Sequence, residues 1–146
     1  SSLVDIASGG APRPPEHVDR LAQEFEGKHP VQGYGLTETN GVGAGNIREN
    51  YRNKPASTGR AAPPLVELRI ADGEGPVGAA LPAGTVGEVC IRSVCNCRGY
   101  WNKPEATAAA FVGDGWFRSG DLGYMDEEGY LFIVDRKKDI IIRGGE

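Results

Sequence analysis

Apolar positions in this chain recur with two different periods, and the change falls near residue 57. Val18, Leu21, Ala22 and Phe25 repeat at helical spacing, which predicts a helix from Pro14 or Pro15 to about Phe25. Proline suits a first helical turn, Gly27 closes the segment, and the four apolar residues are read as core. Ahead of the helix, residues 8–12 predict a strand end entering a glycine turn. Behind it, residues 31–34 predict a short returning strand. Strand, helix, strand with glycine-rich turns is how an α/β sheet presents a ligand site at its strand ends. Residues 41–56 carry little periodicity and predict a long loop, with Gly41, Gly43 and Gly45 inside it.

From Ser57 the period shortens to two. Val66-Glu67-Leu68-Arg69-Ile70 alternates cleanly, and residues 86–92 do so with interruption. Turns are predicted at 72–76 and 82–84, a short helix from Pro104 to about Phe111, and a last strand over 130–134. Strands at this spacing suggest a small barrel or a distorted antiparallel sheet. The predicted class is therefore α/β plus β: the end of an α/β subdomain (1–56), a small distorted antiparallel β-barrel (57–134), and a hinge segment (135–146). Ile140-Ile141-Ile142 is a β-branched run that demands a packing partner. The expectation is that the polypeptide continues beyond both ends.

Composition narrows the function classes. With 22 glycines and 10 prolines in 146 residues, turns must be frequent and a helical bundle is excluded. A net charge of −4 with no basic run argues against a nucleic-acid surface. No segment reaches the apolar length of a membrane span, and the first residues show no secretory pattern. Cys90, Cys95 and Cys97 lack the paired spacing of a zinc site and read as reduced, partly buried thiols of a cytoplasmic protein.

The candidate chemistry is concentrated in Gly33-Tyr34-Gly35-Leu36-Thr37-Glu38. Gly33 and Gly35 permit close approach of another molecule, and Tyr34 offers a flat face for a base. Thr37 can bond a phosphate oxygen, and Glu38 is a hard oxygen ligand suited to Mg2+. A tight turn with a buried tyrosine explains the same six residues. Asp121, following Gly120, reads as an exposed turn carboxylate able to accept from both ribose hydroxyls or from its own backbone. Arg136 is a fixed cationic fork suited to ribose or phosphate oxygens, or one member of a solvated run with Lys137, Lys138 and Asp139. Trp116 and Tyr100 read as core or turn anchors, His17 as a helix-surface residue and His29 as a turn residue.

Five blocks in order resemble the signatures of the adenylate-forming superfamily, which comprises acyl-CoA synthetases, peptide-synthetase adenylation domains and beetle luciferases. They are Ser8-Gly9-Gly10-Ala11-Pro12, Tyr34-Gly35-Leu36-Thr37-Glu38-Thr39, Gly99-Tyr100-Trp101-Asn102-Lys103-Pro104-Glu105-Ala106-Thr107, Gly115-Trp116-Phe117-Arg118-Ser119-Gly120-Asp121-Leu122 and Asp135-Arg136-Lys137-Lys138-Asp139. The ending Ile141-Ile142-Arg143-Gly144-Gly145-Glu146 is most similar to the branch that makes CoA thioesters of fatty or aromatic acids. The resemblance implies that Gly9, Gly10 and Ala11 back the adenine, with Ile133 at the edge of that pocket. It implies that Gly33, Tyr34, Gly35, Leu36, Thr37, Asp121 and Arg136 bind ATP or AMP, and that Thr37 and Glu38 serve catalysis with Glu38 on Mg2+. Lys138 falls at the hinge to a mobile lid. The implied reaction joins a carboxylate to AMP with release of pyrophosphate, then transfers the acyl group to CoA. The family's phosphate loop lies upstream and its lid downstream, so this chain alone is expected to be inactive. Loading of a carrier protein, luciferase-type oxygenation and non-catalytic nucleotide binding are the competing readings.

Overall fold

The computed structural model describes residues 4–11, 13–73 and 75–137. Pro12, the expected hinge residue Lys138 and the apolar run 140–142 lie outside the described residues. Two sheets carry the architecture. The first holds β1 (Asp5–Gly9), β2 (His29–Tyr34), β3 (Ala44–Ile47) and β4 (Arg60–Ala61) in that order. β1 and β2 are parallel, with Gly9 opposite Gly33, and helix α1 (Pro15–Glu24) makes the crossover. The β2–β3 and β3–β4 pairs are antiparallel.

The second sheet is antiparallel throughout: β5 (Val66–Ala71), β6 (Gly87–Ser93), β8 (Trp116–Met125), with β7 (Phe111–Val112) and β9 (Leu131–Arg136) both on the far edge of β8. Helix α3 (Pro104–Ala110) precedes β7. Mixed sheet followed by curled antiparallel half-barrel is the predicted α/β plus β class.

Three expectations change. The long loop over 41–56 instead contains β3 and helix α2 (Arg48–Asn53). β3 does alternate, but its inward residues are Ala44 and Asn46, and Asn46 is buried by bonding rather than by apolarity. Its Nδ2 donates to the carbonyls of Lys54 at 2.9 Å and Ser57 at 3.1 Å. A reading built on apolar periodicity has no purchase on such a strand. Secondly, of the four core residues assigned to α1 only Val18 is fully buried; Leu21 and Ala22 are half-buried and Phe25 is exposed. The helix ends at Glu24, so Phe25 leaves the helical path and the apolar stripe. Thirdly, His29 opens β2 rather than a turn, its N–H donating to the Val4 carbonyl at 2.9 Å.

The main core joins the sheets: Ala44 of β3 packs with Val66, Ile70, Val89, Ile91 and Leu131. A strap at residues 57–59 stitches them together. Ser57 Oγ donates to the Leu131 carbonyl at 2.7 Å, Thr58 N–H to the same oxygen at 2.9 Å, and Leu131 N–H to the Gly59 carbonyl at 2.8 Å. Lys54 adds ion pairs to Asp126 and Glu128 across the same junction.

All three cysteines are free, and Cys90 is wholly buried in β6, where burial pushes its thiol up to about 11. The thiolate is the reactive form. A disulfide-exchange reagent at pH 8 is therefore expected to titrate Cys95 and Cys97 in the folded protein, and Cys90 only after denaturation. Rapid reaction of all three would place Cys90 at the surface.

Candidate functional site

The site is built around an irregularity in β8. Cys90 pairs with Arg118 and Glu88 with Leu122, so a single residue of β6, Val89, faces Ser119, Gly120 and Asp121. The surplus bulges, a device that re-aims side chains. Gly120 takes a positive φ of 75° there, the region that glycine enters most readily. Ser119 Oγ donates to the Val89 carbonyl at 2.7 Å and accepts from the Asp121 N–H at 3.0 Å, which fixes the bulge internally.

Asp121 is consequently not an exposed turn residue but a buried strand residue, 3% exposed. The Ser-Gly-Asp sequence suggests chain reversal. Pairing with β6 on both sides of it keeps the chain running forward instead. The carboxylate sits between two donors: Tyr34 Oη donates to Oδ2 at 2.6 Å, and Arg136 Nε donates to Oδ1 at 2.9 Å. The second contact follows from register, since Asp121 and Arg136 are partners across β8 and β9. Burial first, then the bond to Asp121, raises the Tyr34 phenol far above its usual range, so it remains a donor. Each carboxylate oxygen can accept a further bond.

A cleft of about 1010 Å³ opens beside this pair. Gly35, Leu36, Thr37 and Glu38 line one wall; Asp121 and Arg136 line another; α3 contributes a third through small residues such as Ala106 and Ala109. Thr37 and Glu38 stand on a single 3-10 turn, Thr37–Thr39. The turn is tied down by Leu36 N–H donating to Thr39 Oγ1 at 3.1 Å and by Cys97 N–H donating to the Glu38 carbonyl at 2.7 Å. At Gly35 a β-carbon would overlap the Gly41 backbone, so the turn closes only with glycine there.

The predicted residues thus divide. Gly35, Leu36, Thr37, Glu38, Asp121 and Arg136 share the cleft, and Tyr34 joins them through Asp121. Gly9 and Gly33 pair across β1 and β2, with Gly10 and Ala11 just beyond the end of β1, and they do not line this cleft. Ile133 packs against the main core. Sequence reasoning left Tyr100 among the anchors, yet its Oη donates to Glu38 Oε1 at 2.7 Å. Burial, then that bond, pushes its phenol up to about 12. Thr107 Oγ1 holds the Tyr100 N–H at 2.9 Å and the Phe111 ring meets Tyr100 edge-on, so the phenol is fixed. No local signal links residues 62 positions apart. Glu88, Arg118 and Lys137 were missed as well.

The donor set can be tested against a nucleotide and its ion. Two hydroxyls of a ribose suit a carboxylate whose oxygens each carry one donor already. For Mg2+, no group of three or more His, Cys, Asp or Glu side chains gathers among the described residues. Glu38 as a single carboxylate ligand suits an ion that arrives with phosphate oxygens and water as its other ligands.

A parallel β-α-β unit followed by a curled antiparallel sheet, with a cleft between them, is the architecture of the large domain of adenylate-forming enzymes. The chain belongs to the AMP-binding enzyme family, whose model matches residues 1–101. It is 41% identical over 145 residues to the long-chain-fatty-acid–CoA ligase of Bacillus subtilis, covering 99% of this chain and 25% of that protein. It is 38% identical over 140 residues to 4-coumarate–CoA ligase-like 6 of Arabidopsis thaliana, covering 96% of this chain and 24% of the other. Among solved structures, O-succinylbenzoate coenzyme A synthetase of Bacillus subtilis in complex with AMP superposes with a TM-score of 0.83 at 32% identity, over 97% of this chain and 28% of that one. The chain spans about a quarter of the length of the relatives it matches.

Proposed function

We propose that this chain is part of an AMP-forming acid–CoA ligase and supplies the ribose and Mg2+ walls of its nucleotide site. The carrying observation is the buried Asp121 carboxylate, clamped by Tyr34 and Arg136 at the edge of the cleft. In this reading Asp121 accepts from the ribose 2′- and 3′-hydroxyls. Arg136 and Tyr34 hold the carboxylate still, so binding costs little reorganisation, and Arg136, which also lines the cleft, faces the ribose hydroxyls beside Asp121. Thr37 donates to a phosphate oxygen, and Glu38, oriented by Tyr100, ligates Mg2+. When bound, Mg2+ supplies positive charge against the charge that develops on the phosphates. Gly9, Gly10, Ala11 and Gly33 stand behind the adenine, with Ile133 at its edge. Lys138 is the hinge at which the 135–146 segment leads to a lid, and CoA is the acyl acceptor.

A fatty or related acyl acid is the proposed substrate, supported by the ending Arg143-Gly144-Gly145-Glu146 and by the name of the Bacillus relative. The reading as cytoplasmic rests on the three unpaired thiols. The test is acid-dependent exchange of labelled pyrophosphate into ATP by the whole protein, with fatty acids of several lengths beside benzoate and cinnamate. Exchange with fatty acids alone is the expected result. Exchange with the aryl acids alone would move the substrate class, and none with any acid would remove the ligase reading.

A further inference from the structure

With Asp121 assigned to the ribose, Glu88 is the other buried carboxylate lining the cleft among the described residues. It stands on β6 directly before Val89, opposite the bulge. Its Oε1 accepts the Gly120 N–H at 3.1 Å. Its Oε2 accepts Arg118 Nη1 at 2.6 Å and Lys137 Nζ at 3.5 Å. Lys137 also donates its own N–H to the Gly120 carbonyl at 2.7 Å.

The chain positions matter more than the number of bonds. Gly120 immediately precedes Asp121, and Lys137 immediately follows Arg136. Glu88 therefore grips the outer neighbour of each residue that faces the ribose, one by its backbone and one by its side chain. A counter-ion for Arg118 alone would need neither grip. Arg118 already donates to the Gly75 and Gly73 carbonyls, each at 2.9 Å, and its other Glu88 contact uses only one carboxylate oxygen.

We propose that Glu88 is a positioning residue of the nucleotide site, fixing Gly120 and Lys137 so that Asp121 and Arg136 meet the ribose diol at a set separation. The proposal rests on the ribose reading of Asp121 given above. Glu88 touches no substrate in it. Its effect is confined to the ribose hydroxyls, because the residues it holds flank the diol-binding pair and not the 3-10 turn that carries Thr37 and Glu38.

The test is calorimetric titration of the whole protein with AMP and with 2′,3′-dideoxy-AMP, in wild type and in Lys137→Met. The Lys137 side chain is 43% exposed, so its replacement spares the core. Wild type is expected to prefer AMP by about 100-fold, the scale of two bonds to a charged acceptor. In Lys137→Met that preference should fall to about 10-fold, with affinity for the dideoxy analogue unchanged. Glu88→Gln should reduce it at least as far. Should Glu88→Gln not fold, Lys137→Met still decides. A preference in Lys137→Met equal to wild type overturns the proposal, and so does equal weakening of both ligands, which marks general disturbance. No preference in wild type would instead bring down the ribose reading itself, and this proposal with it.

Discussion

Alanine at position 121 is expected to weaken AMP binding by a factor of roughly 100 or more. Two hydroxyl bonds to a carboxylate are at stake, each worth about 1.5–3 kcal/mol when the acceptor is charged. The same change strips Arg136 of its 2.9 Å partner and leaves the Tyr34 hydroxyl without its 2.6 Å acceptor. An unsatisfied buried donor costs about 1–3 kcal/mol, so a modest fall in melting temperature should accompany the loss of affinity. Asp121→Asn keeps one acceptor oxygen and should fall between wild type and alanine. Calorimetry on folded variants checks both. An Asp121→Ala protein that binds AMP like wild type would mean that the cleft receives its nucleotide elsewhere.

The second large effect is on folding. Gly59 sits in the strap between the sheets with φ of 102°, and a β-carbon there would overlap the backbone of Gly45 in β3. Neither obstacle is a flexible side-chain end. Overpacking at about 1–3 kcal/mol and the left-handed conformation at roughly 1–2 kcal/mol together predict a loss of about 2–5 kcal/mol for Gly59→Ala. Domain stabilities are themselves only about 5–15 kcal/mol. The urea midpoint of the whole protein should drop accordingly. Gly78→Ala, with open space around it and no positive φ, should shift the midpoint by less than about 0.5 kcal/mol in equivalent stability. Equal midpoints for the two variants would contradict the strap.

Much of this fold was legible where apolar residues carry the pattern. The α1 crossover, the Val66–Ala71 strand and the last strand follow from periodicity, and the proline starts of α1 and α3 from backbone chemistry. Legibility failed where bonding replaces apolarity. β3 buries an asparagine and α2 is only six residues long, anchored by Tyr51. The site shows the same divide. Thr37 and Glu38 are adjacent in sequence and were visible as a local unit. Asp121 was visible as a carboxylate, but its burial comes from a bulge that depends on a distant strand. Tyr100 and Glu88 act through partners 62 and 32 positions away, contacts that exist only once both sheets are formed.

The most direct test of the central claim is a paired titration of the wild-type whole protein with AMP and its 2′,3′-dideoxy analogue. Asp121 as the ribose-binding group predicts about 100-fold tighter binding of AMP, and no such preference in Asp121→Ala. Equal affinity of wild type for the two ligands would contradict the claim.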